Sequence, residues 1–328
     1  MTINIDWQGD CQFKVTTSGG FTIEVDAENT QAPCPTELLL SALGSCSATD
    51  VALYFQDKGI NLESLNNQVT YTLKDSEPRL YETANLHFTV KGPIMSEMYT
   101  KHAETYDSVV KNNIYNACLE RPSLQALLDD VQGLDVVDMG CGSGIYAGYF
   151  LEQSARSVTC LDLSSDMVSI VKRKFGDKVT AYVQDIAAGL PQEAANSADV
   201  IVCPLVLHYL EDLRVVFNDV HRVLKPGGYM VFSTHHPFAD FECSVSGNYF
   251  ATEQVQEEWN TVGTPVTVNF YRRSLTDICN AITAAGLVIS RLTEGTVSED
   301  AKAISEETYN HLKHNPNFLF VRCEKLRT

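Results

Sequence analysis

The stretch VVDMGCGSGIYAG, residues 136–148, sets Gly140, Gly142 and Gly144 between an apolar run and a helix-like pattern. Dinucleotide sites use G-x-G-x-x-G, because their third glycine lets a helix pack closely beneath a pyrophosphate. Three residues after Gly142 stands Ile145, so that pattern fails. A phosphate-binding P-loop also fails, since no Gly-Lys-Ser/Thr follows. The turn therefore suits a ligand that needs close backbone approach without a diphosphate.

S-adenosylmethionine (SAM) meets that description. Its carboxylate fits near the amides that open the following helix, where the helix dipole favours an anion. Its amino group needs an acceptor, and Asp138 ends the first strand. Its ribose diol calls for a carboxylate some twenty residues on, where Asp162 ends the second strand in TCLDL. Asp185 and Ile186, in VQDI, close the third strand, offering a polar partner and an apolar shelf for adenine. A lone strand-end Asp is ordinarily a cap or turn residue. The argument here rests on concurrence at the C-terminal ends of consecutive strands, where open α/β sheets bind ligands.

Around this stretch, short apolar runs (LDVVDM, VTCLDL, VTAYVQD, ADVIVC, YMVFST) alternate with helical segments. In DLRVVFNDVHRVL, Leu213, Val216, Phe217, Val220, Val223 and Leu224 make one apolar stripe. Such alternation predicts a parallel sheet covered on both faces. The rhythm starts near residue 95, so two domains are expected, 1–94 and 95–328.

Residues 95–328 resemble class I SAM-dependent methyltransferases of the group that includes the ubiquinone and menaquinone biosynthesis enzymes. VVDMGCGSG, LDLSSDMV, VQDIAAGLP, ADVIVCPLVLHYLEDL, VLKPGGYMVFSTHHP and the earlier YTKHAETYD carry the likeness. It implies an α/β, Rossmann-like fold with a seven-stranded, mostly parallel sheet and SAM at the switch point. It also implies cofactor contacts from Tyr106, Asp138, Gly140, Cys141, Gly142, Gly144, Asp162, Leu163, Met167, Asp185, Ile186 and Pro204.

Methyl transfer to oxygen also needs a base, and histidine is the usual agent. His208 follows the fourth strand, and His235 and His236 follow the fifth; His208 and His236 rank first as catalytic candidates. The next segment, residues 238–275, breaks the strand-helix rhythm and is rich in aromatics, as a lid over a small, partly apolar acceptor would be. Whether carbon, nitrogen or oxygen is methylated is not legible. A SAM-binding regulatory module is the alternative that keeps the cofactor and drops the chemistry.

The first ninety-odd residues read differently. CQFKVTTSGGFTIEVDAE has a hairpin pattern about Gly19-Gly20. A helix should run from Pro35 to about Gly59, and NNQVTYTLKD and ETANLHFTVKG read as strands. APCPTELLLSALGSCSATDV resembles the helix of OsmC-like thiol peroxidases, which implies Cys46 as peroxide nucleophile and Glu37 as its organiser. The arginine of active members has no counterpart, since the first arginine is Arg79, and the family's second cysteine is missing where the methyltransferase-like part begins. Cys46 is therefore expected to share a buried stripe with Leu39 and Leu43. Such a truncated unit leaves a face uncovered, which invites dimerisation or docking on the second domain.

A net charge of -18, without a Lys/Arg cluster, disfavours nucleic-acid partners. No bilayer-spanning stretch or export signal stands out. The ten cysteines stand singly, which suits packed thiols in a reducing cytoplasm.

Overall fold

The computed structural model describes residues 2–57, 62, 64–74, 81–91 and 96–327. Its chain forms two compact units, Met1–Gly92 and Pro93–Thr328. The expected helix stop at Gly59, Arg79 and the 94/95 join lie outside the described residues.

In the first unit, β1 (Asn4–Gly9), β2 (Gln12–Thr16) and β3 (Thr22–Asp26) form an antiparallel sheet. Thr16 pairs with Thr22 across the Gly19-Gly20 turn, as the alternation predicts. Helix α1 (Pro35–Asp57) follows, then the antiparallel pair β4 (Ser64–Leu73) and β5 (Tyr81–Lys91). A Cβ at Gly44 would meet Val69 Cγ2 at 2.9 Å, so α1 lies against β4 on its Leu40–Gly44 side.

The expected buried stripe is not there. Leu39 is 61% and Leu43 46% exposed, and Cys46 is exposed with them. The pair β4–β5 lies against the Leu40–Gly44 side of α1, and no described residue of this unit covers the stripe. Pro35–Gln56 is also long and apolar enough to cross a membrane, with a mean hydropathy of 1.4. This corrects the expectation that no such stretch exists, on length and composition alone.

The second unit is built on a seven-stranded sheet. Its strands are β6 (Asp135–Met139), β7 (Ser157–Asp162), β8 (Thr180–Val183), β9 (Ala198–Pro204), β10 (Leu224–His235), β13 (Val288–Thr293) and β14 (Phe318–Glu324). Their order is β13-β14-β10-β9-β6-β7-β8, and only β14 runs antiparallel to its neighbours. The chain leaves β6 toward β7 and β8, then returns to the other side of β6 with β9. That reversal creates the crevice where open α/β sheets take ligands.

Period-two alternation sorts the strand residues onto two faces. Val136, Cys160, Val202 and Val231 pack with α3 (Arg121–Gln125), α4 (Ile145–Glu152) and α5 (Ser165–Phe175). Val137, Leu161, Cys203 and Phe232 pack with α6 (Arg214–Val223) and α7 (Leu275–Ala284). The whole α6 stripe named above is buried. Helix α2 (Ala103–Val109) precedes the sheet, and α8 (Ala301–Ile304) and α9 (Glu306–His314) precede β14.

The aromatic segment after β10 forms the hairpin of β11 (Glu253–Trp259) and β12 (Val266–Arg272). Met98, Val255, Val262, Val266, Val268 and Phe270 make its own small core, on which Tyr99, Tyr106, Tyr209 and Trp259 pack. Arg272, 2% exposed, pins its base through Glu253 at 3.1 Å and the carbonyls of Asn248 and Ala251.

Candidate functional site

The three glycines bend the chain sharply after β6, each with positive φ. A Cβ at Gly140 would sit 2.2 Å from Val206 Cγ2, and one at Gly144 would sit 2.8 Å from Phe175. Packing alone therefore forbids a side chain at both. Gly142 differs, for at φ +51 its Cβ would meet no heavy atom within 4 Å. It faces open space.

The amides of Gly140 and Cys141 both bond Leu161 O, and that of Gly142 bonds Asp162 Oδ2 at 2.9 Å. These amides are directed at β7, so the amides left for an anion are those opening α4. Lys174, which the sequence reading missed, steadies the turn by bonding Ser143 O and pairing with Asp107.

Asp138 is wholly buried, and neither carboxylate oxygen has a hydrogen-bond partner among the described residues. Burial, with Asp162 and Glu120 adding, pushes its pKa up to about 8. A carboxylate hidden without partners costs several kcal/mol; it is the acceptor a buried cation would satisfy. Asp162 accepts from Gly142 and Ser164 amides, one per oxygen, and burial raises its pKa. Each of its oxygens keeps an open lone pair.

Beside Asp162 lies a tyrosine cluster. Tyr106, the expected cover residue, meets Tyr99 edge-on at 5.1 Å, and both pack on Met167. Tyr99 and Tyr209 hydroxyls lie 2.9 Å apart, and Ser164 Oγ bonds Tyr99 O. Tyr99 and Tyr209 were not singled out from sequence, although both stand within the quoted motifs.

Leu163 and Pro204 are half-buried beside the turn, while Cys141 is buried near Cys160. Asp185 caps the helical turn Ile186–Ala188 by accepting from Ala187 N at 2.9 Å. Ile186 is buried in the core of the α6 face.

The histidines rearrange the expected ranking. The rings of His208 and His235 stack at 3.8 Å and 13°. Phe270 contacts both rings and Trp259 lies 5.7 Å from His235, so the hairpin covers the pair. Neither Nδ1 has a hydrogen-bond partner among the described residues, although that of His235 lies 3.4 Å from Asp240 Oδ1. Burial, then His235 and Arg273, drives the His208 pKa well down, so its ring is neutral. His236 takes a different place. Its Nδ1 accepts from Phe238 N, and Nε2 lies 3.9 Å from Glu294. His235 is the last residue of β10 and His236 lies beyond it, where the chain turns away, so His235, not His236, joins His208.

Residues 137–232 match the family model for a methyltransferase domain, and residues 27–116 the one for OsmC-like proteins. The structure of an S-adenosylmethionine dependent methyltransferase from Mesorhizobium loti is 26% identical, with a TM-score of 0.52. The match covers 66% of this chain and 99% of that one.

The second unit is a SAM-dependent methyltransferase domain.

An uncharacterized protein of Haemophilus influenzae is 25% identical over 68% of this chain and 94% of its own length. A ubiquinone biosynthesis O-methyltransferase of Vibrio parahaemolyticus is 32% identical over 32% of this chain. Apart from the Haemophilus protein, the chain spans 30% to 54% of the length of the next curated relatives. The site presents groups whose chemistry fits SAM: an open glycine at 142, a buried acid at 138 without a hydrogen-bond partner among the described residues, and a second acid at the end of β7.

Proposed function

We propose that the methyltransferase domain transfers a methyl group from SAM to an oxygen of a small, partly apolar acceptor, with His208 and His235 serving the acceptor's proton. When bound, SAM supplies a methyl group already activated on a sulfonium. The chain's own task is then alignment, which can be worth several kcal/mol of barrier. Asp138 holds the amino group, Asp162 the ribose diol, and Tyr106 covers the cofactor. Gly142 keeps the backbone open to it, while Asp185, Ile186 and Leu163 border the adenine.

Neutral His208 accepts the proton at Nδ1, and the His235 ring stacked on it at 3.8 Å fixes its orientation. Phe270 and Trp259 keep water from the reacting atoms, which strengthens each polar contact inside. The observation that carries this reading is the stacked imidazole pair beneath an aromatic hairpin, with the buried His208 Nδ1 lacking a hydrogen-bond partner among the described residues. The likeness to the Vibrio ubiquinone biosynthesis O-methyltransferase supports oxygen as the nucleophile.

The test is turnover of a panel of phenols and carboxylic acids, read as S-adenosylhomocysteine formed. His208→Asn and His235→Asn should each lower kcat by roughly 100-fold or more while cofactor affinity stays unchanged. Full turnover in His208→Asn removes that residue from the mechanism.

A further inference from the structure

Glu120 ends a π-helical turn, Asn116–Glu120, just before α3, and is 3% exposed. Its Oε1 accepts from Ser233 Oγ at 2.8 Å, and Tyr146 OH reaches both oxygens at 3.1 and 3.2 Å. Arg121, next along the chain, is turned away toward the carbonyls of Val110 and Lys111. Among the described residues Glu120 therefore has no ion-pair partner, and a carboxylate offers about four acceptor positions. Two hydroxyls do not fill them.

Strand register brings this group to the corner that Asp138 occupies. Ser233 stands beside Pro204 on β9, and Asp138 stands beside Val202 of the same strand. Val136 and Val231 place Asp138 and Ser233 on the same face of the sheet, the face on which Tyr146 and the residues preceding Glu120 also pack. Two buried acids, one with both oxygens unpartnered, thus share one corner with no ion pair to either among the described residues. In the turn that follows Asp138, Gly142 leaves open space. A small cation with several hydrogen-bond donors satisfies both acids. A primary ammonium carries three.

We propose that Glu120 and Asp138 together seat the ammonium of the cofactor's methionine part, with Tyr146 and Ser233 as positioning residues for Glu120. This rests on the SAM reading above. Tyr146 stands on the first turn of α4 and Ser233 on β10, so the carboxylate is clamped from two elements before any ligand arrives.

Calorimetry on the full chain with three probes tests it: S-adenosylhomocysteine, its analogue lacking the amine, and methylthioadenosine, which lacks the amino-acid part. The wild type should bind all three, S-adenosylhomocysteine most tightly. Glu120→Gln should weaken S-adenosylhomocysteine about tenfold or more, and leave the other two within twofold. Tyr146→Phe should give the same pattern with a smaller loss, and it carries the test should Glu120→Gln fail to fold. Equal weakening of all three probes, or of none, overturns the seat. So does a wild type that binds the amine-free analogue as tightly as S-adenosylhomocysteine; binding of methylthioadenosine then still upholds the cofactor site. A wild type that binds none of the probes sinks both readings.

Discussion

Asp138 makes a prediction that needs no substrate. Its carboxyl has an ordinary value of 3.8, and burial lifts it to about 8 in the fold. The sign follows from proton counts. Between those values the folded chain keeps a proton that the unfolded chain releases, so folding stability falls as pH rises. Each unit is worth about 1.4 kcal/mol, and from pH 5 to pH 8 the loss reaches about 4 kcal/mol. Asp138→Asn cannot ionise and escapes that loss. Any constant cost of the amide cancels when the two pH values are compared. The assay is urea unfolding of ligand-free protein, followed by Trp259 fluorescence in a Trp7→Phe background, since these are the chain's two tryptophans. The variant should gain roughly 2–4 kcal/mol on the parent between pH 5 and pH 8, while losing affinity for S-adenosylhomocysteine. A stability difference that is the same at both pH values, within about 0.5 kcal/mol, refutes the idea of a buried, unpartnered acid.

Gly142→Ala places a methyl in the open space beside the turn at a left-handed φ, costing about 1–2 kcal/mol. Calorimetry should find S-adenosylhomocysteine binding at least tenfold weaker. His208 has a depressed folded value, so its neutral form supports the fold above the ordinary histidine pKa of 6.5. Below that value the unfolded chain takes up a proton first, and stability drops by about 1.4 kcal/mol per pH unit. His208→Gln should flatten that acid limb in urea titrations between pH 6.5 and pH 5. Cys11 and Cys46 are exposed while Cys118, Cys141, Cys160, Cys203 and Cys323 are buried. Cys46→Ser should remove one rapidly reacting thiol in a colorimetric titration and leave cofactor binding unchanged.

The sheet was legible because parallel strands buried on both faces read as nearly unbroken apolar runs. The strand-end places of Asp138 and Asp162 were legible because their spacing reflects strand, turn and helix lengths that the fold imposes. His235 was harder. Choosing it over His236 requires knowing where β10 ends, and only the register of neighbouring strands fixes that. Glu120 could not be read at all: in LERPSL it looks like an ordinary polar helix start, and the π-turn alone rotates it inward. The exposed Leu39 and Leu43 defeated the helical-stripe argument for a complementary reason. A periodic apolar pattern identifies a face, but whether another element reaches that face depends on how much chain is present to cover it. Asp185 stands just past the end of β8, as its place in VQDI implies, and caps the turn that follows.

Asp162 has a consequence for any mutational scan. One oxygen holds the Gly142 amide and the other the Ser164 amide, so the side chain works as a splice between the turn after β6 and the start of α5. Cutting it frees both segments at once, and a loss of ligand in Asp162→Ala then mixes slackened backbone with a missing contact. Hydrogen exchange at those two amides separates the contributions. Protection that vanishes there before any ligand is added belongs to the splice rather than to the sugar.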